Sequence, residues 1–483
     1  MSSKTAQARL SQIDGSFTPP SSDSIYSTEP STEHAPYPYP VPNPLTPFWR
    51  TQLHPLDSAR TTPDLPAETD VLIIGAGYAG ASTAYHLQKD NPNPPRITIL
   101  EAREACSGAT GRNGGHLKPD VYFQVPRYTA LFGAEAADEL AAFESSQVLA
   151  VKELVEREGI DCDFGLTRAV DVCLDADHAA KCKADFLELQ ARGRPSVRDV
   201  FFSEGATAEM VSGVKGAKCA FTFTAGHVWP YKLVMHLLGL AVGRGANLQT
   251  HTPVTSVAEA RDDEGWWSVD TPRGRLRARQ VVFCTNAYTA GVAPQYRDKI
   301  IPVKGICSRL SVPPGAAVPH LPNTYSLRYA PGIYDYQITR PDGSIVIGGA
   351  KQWFWHDRSH WYGVTDDASL IAPAEHHFPG FMQRNYRGWE HSHAELDMLW
   401  TGIMGYTADM MPHIGEVPSK PGQFVMAGFN GHGMPLIFLS SKGLASMILH
   451  AVPFEQTGIP RLFKTTAERL ASEENLILNS KPQ

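Results

Sequence analysis

Residues 69–120 read TDVLIIGAGYAGASTAYHLQKDNPNPPRITILEAREACSGATGRNGGHLKPD, and the fold is decided there. Val71 to Ile74 form a short apolar run, Gly75-Ala76-Gly77-Tyr78-Ala79-Gly80 follows without a break, and Ala81 to Gln88 continue as a small-residue helix. That order predicts a strand, a tight glycine turn and a helix. Gly75 permits the sharp turn, Gly77 lets the backbone approach a pyrophosphate, and Gly80 lets the helix pack closely on the strand. The helix N-terminus, with Ala76 and Ala79 beside it, then presents N–H groups and the positive end of its dipole to two phosphates.

A second strand, Arg96 to Leu100, ends on Glu101, about 20 residues past the last glycine, where a carboxylate can accept hydrogen bonds from an adenosine ribose. The alternative is a solvated charge at a strand end, which the spacing disfavours. An acid here disfavours a 2′-phosphate, so the dinucleotide is FAD or NAD rather than NADP, with Ala102 and Arg103 continuing the edge of its site. Ser107 to His116 (SGATGRNGGH) is a second loop too rich in glycine and hydroxyls to be a core element. Its candidate contacts are Ser107, Thr110, Arg112, Asn113, Gly114 and Gly115. At this point the sequence resembles the D-amino-acid oxidase and sarcosine oxidase superfamily of FAD-dependent oxidoreductases. The resemblance implies a loop running along the pyrophosphate and ribityl chain toward the flavin ring.

The chain has 483 residues, 42% of them hydrophobic, enough to bury two cores. The formal net charge of −7 and the absence of a long basic stretch argue against nucleic acid and anionic membrane as partners. The seven cysteines (Cys106, Cys162, Cys173, Cys182, Cys219, Cys284, Cys307) are scattered, odd in number and without a C-x-x-C, which reads as reduced thiols in a cytoplasmic protein. No signal-like start and no apolar run of about 18 residues is present, so neither secretion nor membrane spanning is expected.

Residues 1–45 are rich in Ser, Thr, Pro and isolated tyrosines, and read as a flexible, mobile or loosely docked tail. Phe48 and Trp49 then anchor the chain to the domain surface. Helical spacing marks 136–158, 179–192 and 231–242; strands are expected at 169–174, 254–258 and 266–270, followed by the apolar run 281–287 that returns the chain to the first domain. In the family, Val254 borders the adenine, and Thr285 and Asn286 lie beside the adenine and ribose.

From Ile301 to about Glu395 strands alternate again, predicting an antiparallel sheet that carries the substrate. Tyr334 and Tyr336 lie two apart and share a face, and Trp353 and Trp355 repeat the spacing. These aromatics read equally as pocket wall or core. His356, His360, His376, His377, His391 and His393 show no H-E-x-x-H, so no metal site is expected. Residues 400–415 and 424–434 match the superfamily's C-terminal signature, with Gly431, His432, Gly433 and Met434 as flavin contacts and a helix over 434–450 aimed at the flavin N1 and C2 carbonyl, where negative charge develops.

The expected architecture combines α/β and α+β parts: a Rossmann-type, glutathione-reductase-like FAD-binding domain (46–130, 231–300 and 396–460) interleaved with an antiparallel-sheet substrate domain (131–230 and 301–395), then a tail, 461–483. The family oxidises a C–H next to nitrogen by hydride transfer to flavin N5, releases an imine, and usually passes the electrons to molecular oxygen as hydrogen peroxide. Candidate catalytic residues are Tyr334, Tyr336, Lys351 and His432. Three departures bear on this. Met404 stands where the sarcosine oxidase branch has its flavin-tethering cysteine, which implies non-covalent FAD, with His116, His413 or Cys106 as attachment points if it is covalent. Pro435 replaces that branch's carboxylate-binding lysine, and its oxygen-activating lysine falls near Val346, with Lys351 as the nearest alternative. The pattern is thus nearer the gamma-glutamylputrescine oxidase-like proteins, and a larger secondary amine or polyamine-like substrate is expected, in specialised metabolism. The alternatives are a dehydrogenase using another acceptor and a non-catalytic flavin-binding protein that recruits a partner.

Overall fold

The structure, a computed structural model, describes residues 38–479, which lie in one compact unit. Residues 1–37 of the expected tail lie outside the described residues.

Two sheets organise the molecule. In the first, of eight strands, Gln423–Ala427, Gly274–Phe283, Glu68–Ile74, Ile97–Leu100 and Asn247–Gln249 run parallel in that spatial order. His413–Glu416 closes one edge antiparallel, and Trp267–Thr271 with the two-residue strand Ser256–Val257 branches antiparallel from Gly274–Phe283. Val71, Leu72, Ile73 and Ile74 are all buried, as befits a parallel strand covered on both faces. The covering helices are Tyr78–Gln88, Pro230–Gly243 and Ile437–His450, the second and third both packed on the first.

The second sheet has nine strands, in the order Glu395–Thr407, Ile300–Ser311, Ile345–Gly348, Ile333–Thr339, Thr324–Ala330, Gly165–Cys173, Cys219–His227 and His116–Leu117, with Phe201–Glu204 alongside Cys219–His227. Its pairings are antiparallel except one, Thr324–Ala330 with Gly165–Cys173, which is parallel. Three boundaries differ from expectation. Glu395–Thr407 pairs with Ile300–Ser311 from end to end, so residues 396–407 belong to this sheet and not with the dinucleotide half. His116–Leu117 likewise joins it. Residues 461–479 are packed: Arg469 forks onto Asp409 and four carbonyls, and Thr465 bonds Tyr296 and His413.

Residues 38–45 are docked as well, because two buried guanidiniums need acceptors: Val41 O takes Arg103 and Leu45 O takes Arg112. Tyr39 adds a 2.7 Å bond to Gly291 O. Phe48 and Trp49 anchor the next stretch as expected; Trp49 is fully buried against Trp229 and donates to Asn113 O at 2.5 Å.

Candidate functional site

The three glycine-rich stretches meet around one cleft of about 470 Å³, at the carboxyl ends of the parallel strands, where Ile74, Leu100 and Cys284 border it. Open α/β sheets bind ligands at this position. Gly75, Gly77, Ala79, Glu101, Ala102, Arg103, Ser107, Thr110, Arg112, Asn113, Gly114, Val254, Thr285, Asn286 and Gly431 to Met434 all border it. Ala76, Gly80 and Gly115 do not, and each has a packing role. Ala76 N–H donates to the Glu101 carboxylate at 2.8 Å. A Cβ on Gly80 would run into Gly75 O, and one on Gly115 would lie 2.8 Å from Ile338 Cδ1 and 2.9 Å from Val228 O.

The turn explains its own composition. Gly75 has φ +108°, and a Cβ there would sit 2.6 Å from Cys284 O, so only glycine fits. Gly77 differs: its φ of −85° suits any residue, and the nearest atom to an added Cβ is Thr110 Oγ1 at 3.6 Å. Nothing inside the protein requires a glycine at 77, which leaves the close approach of a ligand as its reason. Among the described residues the first-turn Ala79 N–H has no partner, and the buried Ser107 and Tyr288 hydroxyls at the cleft are also unpaired. These are the groups an elongated phosphate-bearing cofactor satisfies.

Several expected contacts act indirectly. The Arg103 and Arg112 guanidiniums both turn into the protein onto Asp367, at 2.9 and 3.0 Å from Arg103 and 3.2 Å from Arg112. Both also donate to Ser107 O, so they fix the loop while still bordering the cleft. Burial pulls the Arg112 pKa down to about 10 even with Asp367 opposing it. Asn286 accepts from the N–H groups of Gly428 and Phe429, tying the middle of the chain to the last glycine turn. Val254 lies in the loop before Ser256–Val257, not in a strand. The last helix begins at Ile437 instead of Met434, and its Leu439 N–H is taken by Gln147 Oε1. The turn 431–434 therefore faces the cleft, and among the described residues the N–H groups of Gly433 and Met434 have no partner.

A model of the DAO family, described as FAD dependent oxidoreductase, matches residues 70–447. The chain belongs to the FAD-dependent oxidoreductases. Among curated relatives, this FAD-dependent oxidoreductase is similar to gamma-glutamylputrescine oxidoreductase of Escherichia coli K12, 23% identical over 78% of this chain and 83% of that one. It is also similar to glycine oxidase of Geobacillus kaustophilus, 25% identical over 78% and 92%. The solved glycine oxidase from Geobacillus kaustophilus shares the fold, with a TM-score of 0.63 at 22% identity over 82% of this chain and 99% of that one. The cofactor is FAD, and the substrates of this class are amines or amino acids.

The nine-stranded sheet supplies the other wall of the oxidoreductase's cleft. Tyr334 and Tyr336 both border it, 6.3 Å apart, and the Tyr336 ring fills the space a Cβ on Gly114 would take. Burial pushes the Tyr336 phenol well above its ordinary value. Lys351 lies 4.5 Å from the Trp355 ring centroid and 5.5 Å from that of Tyr334. Burial works against its charge, but the Tyr406 and Tyr334 oxygens raise its pKa. Val346 is buried in the core. Trp353 does not repeat the tyrosine pattern: Lys351–Trp353 is a 3-10 turn, which breaks the alternation, and Trp353 Nε1 donates to His377 instead. The six sequence-neighbouring histidines gather no metal-ligand set among the described residues.

The sequence reading missed the charged groups of this wall. Asp171 is buried between Lys118, which bonds it closely, and Arg328 Nη2 at 2.9 Å, with Tyr122 Oη at 3.0 Å. Burial would raise its pKa, yet Lys118 and Arg328 hold it far below the usual carboxylate range. The available signal was a charge placed inside apolar strands, Ala169-Val170-Asp171-Val172 and Ser326-Leu327-Arg328. His432 Nε2 donates to Glu144 Oε2 at 2.7 Å, and the same oxygen accepts the Asp120 N–H at 2.6 Å. Burial opposes its charge, but Glu144 and then Asp120 carry the His432 pKa above its ordinary value. Of the attachment points considered for a covalent flavin, His413 and Cys106 lie off the cleft. His116 borders it, with its pKa pushed down to about 3 by burial and then by Lys118.

Proposed function

We propose that the chain oxidises an amine at the carbon next to nitrogen to an imine, with molecular oxygen as the second substrate and hydrogen peroxide as its product. The observation that carries this reading is the shared cleft: all three glycine turns open onto a wall bearing Tyr334, Tyr336, Tyr406, Trp355 and Lys351. FAD, held non-covalently by the Gly77 turn, Glu101, the 107–114 loop and the 431–434 turn, supplies the two-electron acceptor for that C–H. The chain's own residues supply shape and field. The aromatic wall excludes water and limits how the amine sits. Lys351 and the Lys118–Asp171–Arg328 group make the wall net positive, which disfavours an ammonium and so favours the unprotonated amine that reacts.

The same field revises the substrate expected from sequence. A bare polyamine is repelled by this wall, whereas an amine bearing a carboxylate away from the reacting nitrogen is attracted to it. Lys351, charged and close to Tyr334 and Tyr406, is the cation available to stabilise negative charge developing on oxygen.

The test is a panel of secondary amines with and without a distal carboxylate, assayed for anaerobic bleaching of the flavin and for peroxide in air. Bleaching with peroxide supports the proposal. Bleaching without peroxide points to another acceptor, and a flavin that no amine bleaches points to a binding role.

A further inference from the structure

Behind the substrate wall, four residues distant in sequence come together. Cys173 ends the strand Gly165–Cys173, Cys219 begins Cys219–His227, and the two are directly opposed in the antiparallel register. The chain turns after Cys173 into the helix Ala176–Ala191, capped by Asp175, which accepts the His178 N–H at 2.8 Å. His178 and Cys182 are one helical turn apart, so they share the face laid against the strand pair. The Cys182 sulfur is 3.8 Å from His178 Nε2, and one ligand atom each of Cys173, His178 and Cys182 lies within 4.8 Å of the other two. Cys219, opposite Cys173, has its sulfur 4.0 Å from Ala179 O on the helix. All four side chains are buried: Cys173 0%, Cys219 2%, Cys182 5% and His178 6% exposed.

Packing alone does not ask for this set. Small apolar residues would fill the space, and an imidazole sealed in a core with only a thiol for company carries an uncompensated desolvation cost. The 3.8 Å between Cys182 Sγ and His178 Nε2 is that of a coordination shell, since zinc bonds of about 2.3 Å to sulfur and about 2.0 Å to nitrogen put tetrahedral ligand atoms roughly 3.5–3.8 Å apart; Cys219 stands outside the 4.8 Å group of the other three and would close on it from its place opposite Cys173. We propose that Cys173, His178, Cys182 and Cys219 form a tetrahedral Cys₃His site for a zinc-type divalent cation, empty in this structure. Sulfur and imidazole donors without a carboxylate exclude calcium and magnesium, and four protein ligands leave no open position, so the site is structural. Binding releases the thiol protons to solvent and leaves one net negative charge, faced by Arg328, which is in register with Cys173 on the neighbouring strand. The Phe123 ring stands edge-on to His178 at 5.9 Å and holds the Arg328 guanidinium 3.7 Å from its centroid. The metal therefore braces the part of the cleft wall built by Phe123 and Arg328.

The test uses the full-length flavoprotein purified without chelator. Elemental analysis is expected to give about one zinc per chain, and cobalt(II) exchanged for it should add tetrahedral d–d bands in the red, clear of flavin absorption. Cys182→Ser and His178→Asn should lose the metal, His178→Cys should retain it, and Cys162→Ser, elsewhere in the core, should not alter it. If a variant fails to fold, the wild-type stoichiometry and cobalt spectrum decide alone. Substoichiometric zinc after zinc-supplemented expression with no red bands on adding cobalt, or a disulfide between any two of the four cysteines by mass spectrometry, overturns the proposal.

Discussion

Glu144, on the long helix Ala134–Glu158, and His432, in the last glycine turn, are joined at the cleft by a 2.7 Å hydrogen bond. The bond links the turn beside the flavin site to the helix that leaves the dinucleotide half. Because the His432 pKa is raised in the folded protein, this stabilisation is fully present below the ordinary histidine value and is lost as pH rises through the raised one. The His432 side chain is 41% exposed in the open cleft, so screening limits the pair to roughly 1 kcal/mol. Glu144→Gln should lower Tm most at mildly acid pH, with the gap to wild type closing in alkaline buffer. A gap that widens with pH would refute the assignment.

Gly77→Val and Gly80→Ala should fail in different ways. The first adds atoms where the protein has room, so the chain folds and is colourless; the second drives a Cβ into Gly75 O, an overpacking worth about 1–3 kcal/mol in the apoprotein itself. Flavin absorbance per chain alongside Tm separates the two, and stoichiometric flavin in Gly77→Val would remove this turn from the cofactor site.

Met404 borders the cleft with its thioether against Gly431, and a thioether cannot tether a flavin. Acid precipitation should leave a yellow supernatant. A yellow pellet would indict His116, the one of the three expected attachment points that borders the cleft, or Cys307, whose buried thiol also borders it and lies 3.5 Å from Tyr336 Oη.

Lys351→Met should spare flavin reduction by the amine and slow reoxidation by oxygen by roughly tenfold to a hundredfold, equivalent to about 1.4–2.7 kcal/mol. Stopped-flow measurement of the two half-reactions is the check, and equal loss in both would reassign Lys351 to substrate binding.

Asp367 neutralises two buried guanidiniums at once. Asp367→Ala leaves Arg103 and Arg112 facing each other without an anion, and about 3–5 kcal/mol of stability should be lost, measured by urea unfolding. Asp367→Asn keeps an acceptor and should fall between.

The parallel sheet and its glycine turn were readable because their signal is local: an apolar run, a turn that only glycine can make at 75, and an acid at the next strand end. The charged wall was not. Asp171, Arg328 and Lys118 come from separate stretches, and only the nine-stranded sheet, with its single parallel pairing, brings them together. Arg103 and Arg112 show the converse: both border the cleft as expected, but their partner Asp367 is remote in sequence, so the clamp they form with it was not legible. The Gly431–Met434 turn borders the cleft, while its helix starts later because Leu436 and Ile437 are used to close the turn onto Gly433 O.

The strand Glu395–Thr407 lies along Ile300–Ser311, and the chain then crosses back to finish the parallel sheet with Gln423–Ala427. No single scission of the backbone can therefore release either half as a self-sufficient piece. Limited digestion should yield nicked, still-assembled molecules, and truncation before residue 395 should strip the edge strand from one sheet and two strands, His413–Glu416 and Gln423–Ala427, from the other in the same stroke.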